Sequence, residues 1–237
     1  MWIFLNNVSF GSGLRENKIY LVVAIFVIIV IIIAILFSNT NLISAYVPSN
    51  VLGDDWIEKH NERDQGSKFF GLESWNSFTY RNDNISYPAY LTVTTMKTIF
   101  MMDENDLIEK TKETIFKETS KQNISINRES ENNGQRILKN GHKTRYIVFN
   151  GTEYFSNNYS EEIKFIGEAW NCEKSGTSII CIGFAQITSK NNSDLNLTYW
   201  ADIISDKFGV FAKKYKNKAF YDDFFDINGL IYNVKCH

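Results

Sequence analysis

Residues 103–121 read DENDLIEKTKETIFKETSK, and the fold turns on whether this stretch is a helix set between strands. Asp103 is a good N-cap residue, because its short carboxylate can accept from backbone N–H groups left unpaired at a helix start. Leu107, Ile108, Thr111 and Ile115 recur on one helical face, while Glu113 and Lys117 pair at i,i+4 on another. The pattern predicts an amphipathic helix over Asp103–Lys121. On its N-terminal side, residues 67–80 (SKFFGLESWNSFTY) and 85–100 (ISYPAYLTVTTMKTIF) are rich in Tyr, Phe, Thr and Val, as strands are. Pro88 has no N–H to donate and belongs at the start or edge of its strand.

On its C-terminal side a strand around Asn123–Glu129 is followed by Arg136–Phe149, which contains Lys139-Asn140-Gly141-His142. Asn-Gly between strand-like runs marks a hairpin, and Tyr146-Ile147-Val148-Phe149 reads as a buried strand centre. Two more strands, Glu162–Cys172 and Ile179–Thr188, are joined through Glu173-Lys174-Ser175-Gly176. A second helix begins near Asn196, where Leu197, Trp200, Ala201, Ile204 and Phe208 form an apolar stripe and Gly209 supplies a C-cap. Strands, helix, a mostly antiparallel run of strands and a closing helix define an α+β sandwich, with two main helices packed on the sheet.

The chain has 237 residues, a net charge of −2, 15% aromatic residues and only two prolines. That composition excludes a disordered chain, a collagen-like or solenoid repeat and a disulfide-dense scaffold. One segment stands apart. From Ile19 to Phe37 the sequence is IYLVVAIFVIIVIIIAILF, without a charge; as a helix it is about 28 Å long, matching a hydrocarbon core of about 30 Å. A soluble core helix would carry a polar stripe, and this run has none. Arg15 and Lys18 precede it, whereas the first cation after it is Lys59, so the N-terminus stays cytoplasmic and the rest is exported across the plasma membrane. A cleaved signal peptide is the rival, with a cleavage site at Ile43-Ser44-Ala45, but its apolar core should be shorter. The organisation read from the sequence is therefore a cytoplasmic tail (1–18), a single-pass signal anchor (19–37), a linker (38–53) and an extracytoplasmic domain (54–237). The exported part carries 23 Lys and Arg against 26 Asp and Glu, a balance that argues against nucleic acid as a partner.

Glu104–Lys121, Leu138–Tyr146, Ile179–Thr188 and Trp200–Phe208 together resemble the PsbP-type fold, known from a lumenal photosystem II subunit. There too a strand pair precedes a helix, an antiparallel meander follows and a helix bearing Trp and Phe closes the sheet. The resemblance covers about residues 85–210 and rests on element order. The stretches Gly66–Glu73 and Gly176–Gln186 also resemble segments of exported single-span proteins of ammonia-oxidising archaea. PsbP-type domains are mostly accessory or assembly factors of membrane complexes, so the resemblance implies a non-catalytic accessory role.

Candidate chemistry is sparse. Cys172 and Cys181 end and begin adjacent strands; directly paired across a hairpin, their Cβ atoms would lie about 4.5–5.5 Å apart, and on an oxidising exterior a disulfide follows. The other reading is two reduced core cysteines. Cys236 is left over: free, bridged to another chain, or displacing one member of the pair. Of the three histidines, His142 reads as a solvated hairpin residue, and Cys236-His237 as a weakly preorganised pair on a frayed end; no HExxH or paired CxxC is present. No metal site, cofactor or catalytic residue is therefore expected. Asp222, Asp223, Asp226 and Asn228 do not follow a calcium-loop spacing, and no GxSxG elbow is present. Asn84, Asn123, Asn150, Asn158, Asn191 and Asn196 begin glycosylation sequons. Phe220, Tyr221, Phe224 and Phe225 either complete the core through a hairpin at Asn228-Gly229 or form a docking patch. The expectation is a membrane-anchored accessory, assembly or interaction subunit with an envelope or membrane protein as partner. A small-ligand or metal-binding module is the alternative, and an extracytoplasmic hydrolase a more distant one.

Overall fold

A computed structural model describes residues 23–32, 42–52, 56–82, 88–155, 159–187, 204 and 229–237. Its centre is an eight-stranded antiparallel sheet made of β1 (Trp56–Glu58), β2 (Asp64–Lys68), β3 (Glu73–Asn82), β4 (Ala89–Thr98), β5 (Ile124–Ile137), β6 (Lys143–Phe155), β7 (Tyr159–Cys172) and β8 (Thr177–Gln186). The spatial order is β1-β3-β4-β8-β7-β6-β5, with β2 also paired to β3. β8 is thus the strand that joins the hairpin β3–β4 to the meander β5–β7. The class is α+β, as the sequence indicates.

One long helix, Glu104–Ser120, lies on one face of the sheet. Asp103 caps it, its side chain accepting from Asn105 N at 2.8 Å, and Leu107, Ile108, Thr111, Ile115 and Thr119 are its buried residues. These pack with Phe149, Ile163, Phe165 and Ile180 from the facing strands. Contact is close at Gly167, where an added Cβ would meet Thr111 Cγ2 at 2.7 Å and Ile147 Cγ1 at 3.0 Å. Only a residue without a side chain lets the helix sit this low on β7.

The opposite face carries a second core. Leu91 and Val93 on β4, Ile166, Trp170 and Cys172 on β7, and Ile179 and Cys181 on β8 all point into it, at the even spacings that strand geometry requires. A bidentate ion pair from Arg136 to Glu168 is buried here, with Thr144 hydrogen-bonded to the same carboxylate. Among the described residues, two short segments and Ile204 cover this face. Residues 42–52, inside the stretch read as a linker, bury Ala45 and Val47; Ala45 N donates to Thr95 Oγ1 at 2.7 Å and Val47 N to the Tyr80 hydroxyl at 2.9 Å. Residues 229–237 bury Leu230, Ile231, Val234 and Cys236. The segments meet at an antiparallel bridge, Tyr46 with Lys235, closed by two hydrogen bonds of 2.9 Å.

Pro88 immediately precedes β4, where its missing N–H leaves the ladder intact. The Asn140-Gly141 turn joins β5 to β6, with Gly141 at φ +85°. β5 runs longer than expected and bulges between Asn127 and Asn132. Of the second helix, only Ile204 lies among the described residues; it is fully buried, 2.5 Å from where a Cβ on Gly183 would stand. Within the apolar span 19–37, residues 23–32 are helical and exposed, and the remainder of the span lies outside the described residues. Among the described residues no helix is long and apolar enough to cross a membrane.

The expected pairing of Cys172 with Cys181 is not formed. β7 and β8 turn through Glu173–Gly176, so Cys172 faces Thr177 and Cys181 faces Glu168. Four strand positions separate the two cysteines, about 13 Å along the sheet, far beyond the reach of a disulfide. All three cysteines are free and buried.

Gly167→Ala forces the helix away from β7, and overpacking of this kind costs about 1–3 kcal/mol. Urea unfolding followed by circular dichroism checks this.

Candidate metal centre

Cys172 is the last residue of β7, at the rim of the sheet where the chain turns back. Its carbonyl accepts from Ser175 N at 3.2 Å, which fixes the turn. The β5–β6 hairpin tip lies at the same rim: Leu138 N donates to the His142 carbonyl at 2.9 Å, and Asn140 Oδ1 accepts from His142 N at 3.1 Å. Segment 229–237 arrives between them. Lys139 N donates to the Tyr232 carbonyl at 3.2 Å and Asn140 Nδ2 to the Val234 carbonyl at 3.0 Å, tying hairpin tip to segment. With Lys235 held by Tyr46, Cys236 turns inward against Cys172.

The result is a cluster of four donors, His142, Cys172, Cys236 and His237, whose ligand atoms all lie within 4.8 Å of one another. Cys236 Sγ is 2.9 Å from Cys172 Sγ, 3.2 Å from His142 Nε2 and 3.5 Å from His237 Nδ1. Cys172 Sγ is 3.4 Å from His237 Nδ1. Around a tetrahedral zinc ion, sulfur and nitrogen ligands stand about 3.5 Å apart and two sulfurs about 3.8 Å, from bond lengths of about 2.3 and 2.0–2.1 Å. Three of the four sulfur–nitrogen edges fit within a few tenths of an ångström, and the two remaining edges that involve His142 are within 4.8 Å. The sulfur–sulfur edge must open by about 0.9 Å to take the ion.

The electrostatics suit a cation. Burial raises the Cys236 thiol to about 12, and neighbouring Cys172 pushes the same way, so a thiolate forms here only when a positive charge compensates it. Burial, with the charge of His237 adding to it, lowers the His142 pKa and keeps the ring in its neutral, ligating form. The indole N–H of Trp170, two residues before Cys172 on the same strand face, is buried without a hydrogen-bond partner of ordinary geometry. It stands beside Cys236 and favours the thiolate there, the kind of outer contact that orients a metal ligand.

These positions correct the sequence reading at three points. Cys236-His237 is not frayed: Cys236 is 1% exposed and its neighbours are pinned to Tyr46 and Asn140. His142 is half-buried against Cys236 rather than solvated on its hairpin. The sequence reading also left these four residues apart, because His142 and Cys236 meet across 94 residues of chain. Cys181, by contrast, faces Glu168 in the middle of the sheet, and burial raises its thiol pKa well above the ordinary value.

Among the sequons, Asn123 and Asn150 are exposed, the former at φ +56° with its side-chain amide donating to the Tyr154 carbonyl. Asn84, Asn158, Asn191 and Asn196 lie outside the described residues, as do Phe220, Tyr221, Phe224 and Phe225. On the helix side of the sheet, a cavity of about 420 Å³ is lined by Tyr90, Phe184, Thr92, Glu62, Glu118 and Gln122 among others. The Tyr90 and Phe184 rings stack at 4.7 Å. Compared with protein-family models, with characterised proteins and with solved structures, the chain matches none, so the chemistry rests on the geometry of these residues.

Loss of one ligand should weaken zinc or cobalt binding by at least about a hundredfold, and Trp170→Phe by about tenfold, as removal of an outer-shell contact does. Competition titration of Cys236→Ser, His142→Ala and Trp170→Phe checks both, with Cys181→Ser unchanged. Because a protonated thiol must give up its proton to the ion, affinity falls as pH falls, by about tenfold per pH unit for each proton displaced.

Proposed function

We propose that this chain is a membrane-anchored, extracytoplasmic accessory domain whose task is to hold one thiophilic transition-metal ion, zinc or a metal of similar preference. The observation that carries the metal reading is the convergence of four donor atoms from three separate chain segments within 4.8 Å. Two thiolates and two imidazoles suit zinc or copper better than magnesium or calcium, which take oxygen ligands. Four protein ligands complete a tetrahedron and leave no open position for a substrate, which favours a structural or carrier role over metal hydrolysis. His237 is exposed while both sulfurs are buried, so the ion is reached from the histidine side.

The anchor is supported by the uncharged run 19–37 and by its described part, residues 23–32, which is helical with apolar side chains exposed all round. The accessory role is supported by the order strand pair, helix and antiparallel meander, which resembles PsbP-type domains.

Two measurements test the reading on the full chain in mild detergent. Elemental analysis after purification under reducing conditions should find about one metal ion per chain, lost on Cys236→Ser; a metal-free chain that also ignores added zinc and cobalt overturns the metal reading. Protease added to intact cells should digest the domain, and protection alongside a digested surface control overturns the topology.

A further inference from the structure

The two sulfurs of the centre stand at an intermediate separation. At 2.9 Å, Cys172 Sγ and Cys236 Sγ are closer than two thiolates on one ion, about 3.8 Å, and farther than a disulfide, about 2.05 Å. Either state is reached by moving the sulfurs about 0.9 Å in total, within the reach of small side-chain rotations. The backbone need not follow. Segment 229–237 is held by the Tyr46–Lys235 bridge, by the bond from Asn140 Nδ2 to the Val234 carbonyl and by the burial of Leu230, Ile231 and Val234, while its two contacts that involve a sulfur, Cys172 Sγ with the Cys236 carbonyl at 3.7 Å and Asn140 Nδ2 with Cys236 Sγ at 4.0 Å, are long. No third thiol competes, since Cys181 faces Glu168 and Val93 at mid-strand.

We propose that Cys172 and Cys236 are a redox pair through which the domain exchanges its metal ion for a disulfide. This rests on the metal-binding reading above. With a peroxide as oxidant, the two metal-bound thiolates give up two electrons, one S–S bond forms and both metal–sulfur bonds break. The peroxide O–O bond accepts the electrons and, with two protons, leaves as two molecules of water, while the ion departs as a divalent cation. Only His142 and His237 then remain as ligands, too few to retain it. Both sulfurs are buried, Cys172 fully and Cys236 at 1% exposure, so the site admits a small oxidant past His237 rather than a bulky protein thiol. The domain keeps its shape in both states, and what changes is whether it carries metal.

The test uses the reduced, zinc-loaded full chain in detergent, titrated with hydrogen peroxide. Released zinc is read with a chromogenic chelator and the cysteines by peptide mapping. The expected result is one zinc freed per chain in step with a peptide cross-linked through Cys172 and Cys236, reversed by a thiol reductant and zinc. Cys181→Ser should behave as the parent. Zinc retained while peroxide is consumed overturns the proposal, as does zinc release with the sulfurs found as sulfinic acids or Cys181 found in the bridge. A chain that holds no zinc before peroxide is added overturns the metal reading and this proposal with it. The chelator blank distinguishes that case from failure of the exchange alone.

Discussion

The antiparallel contact between Tyr46 and Lys235 is the constraint on which the rest of the candidate site depends. It joins two segments that flank the whole folded domain in sequence, and it fixes the direction in which Cys236 and His237 leave it. Without it, Cys236 and His237 lose the contact that sets their direction toward Cys172 and His142. Neighbouring contacts reinforce it: Ala45 and Val47 bond to Thr95 and Tyr80 on the sheet, and Lys139 and Asn140 hold the other side of segment 229–237. Ordering segment 229–237 costs conformational entropy, offset by burial of Leu230, Ile231, Val234 and Cys236.

The sheet divides its labour between its faces. Helix Glu104–Ser120 and the residues beneath it form a core of ordinary helix-on-sheet packing, drawn close at Gly167. The other face is sealed by short pieces of chain that offer few internal hydrogen bonds of their own and must take them from the sheet rim or from each other. That arrangement places backbone and polar side chains where β5 ends, β6 begins and β7 ends. A metal centre at this rim would cross-link three segments at once, adding binding energy to folding energy.

Much of the fold was legible in the sequence because its signals are local. The apolar spacing from Leu107 to Ile115, Asp103 before it, Asn140-Gly141 and Pro88 each act within a few residues, and the elements they mark lie where the signal put them, whereas the stretch 67–80, read as one strand, is the end of β2, a 3-10 turn at Phe69–Gly71 and most of β3. β5 ran on past Glu129 because a bulge absorbed the polar stretch 128–131. The cysteine pairing failed for a reason already visible in the sequence: a turn at Glu173–Gly176 places Cys172 opposite Thr177, and counting outward puts Cys181 opposite Glu168. The candidate site was not legible because its closing contact spans 94 residues, and no local pattern announces where a nine-residue segment will dock. The usable hints were slight: a Cys-His dipeptide, and a Cys and a His each beside a predicted turn.

The central claim, that His142, Cys172, Cys236 and His237 form one coordination sphere, is tested most directly by X-ray absorption at the zinc edge of the loaded full chain. The account predicts a four-coordinate shell of two sulfurs at about 2.3 Å and two nitrogens at about 2.0–2.1 Å, with imidazole scattering behind them. A shell of oxygen and nitrogen alone, or one left unaltered by Cys236→Ser, would contradict it.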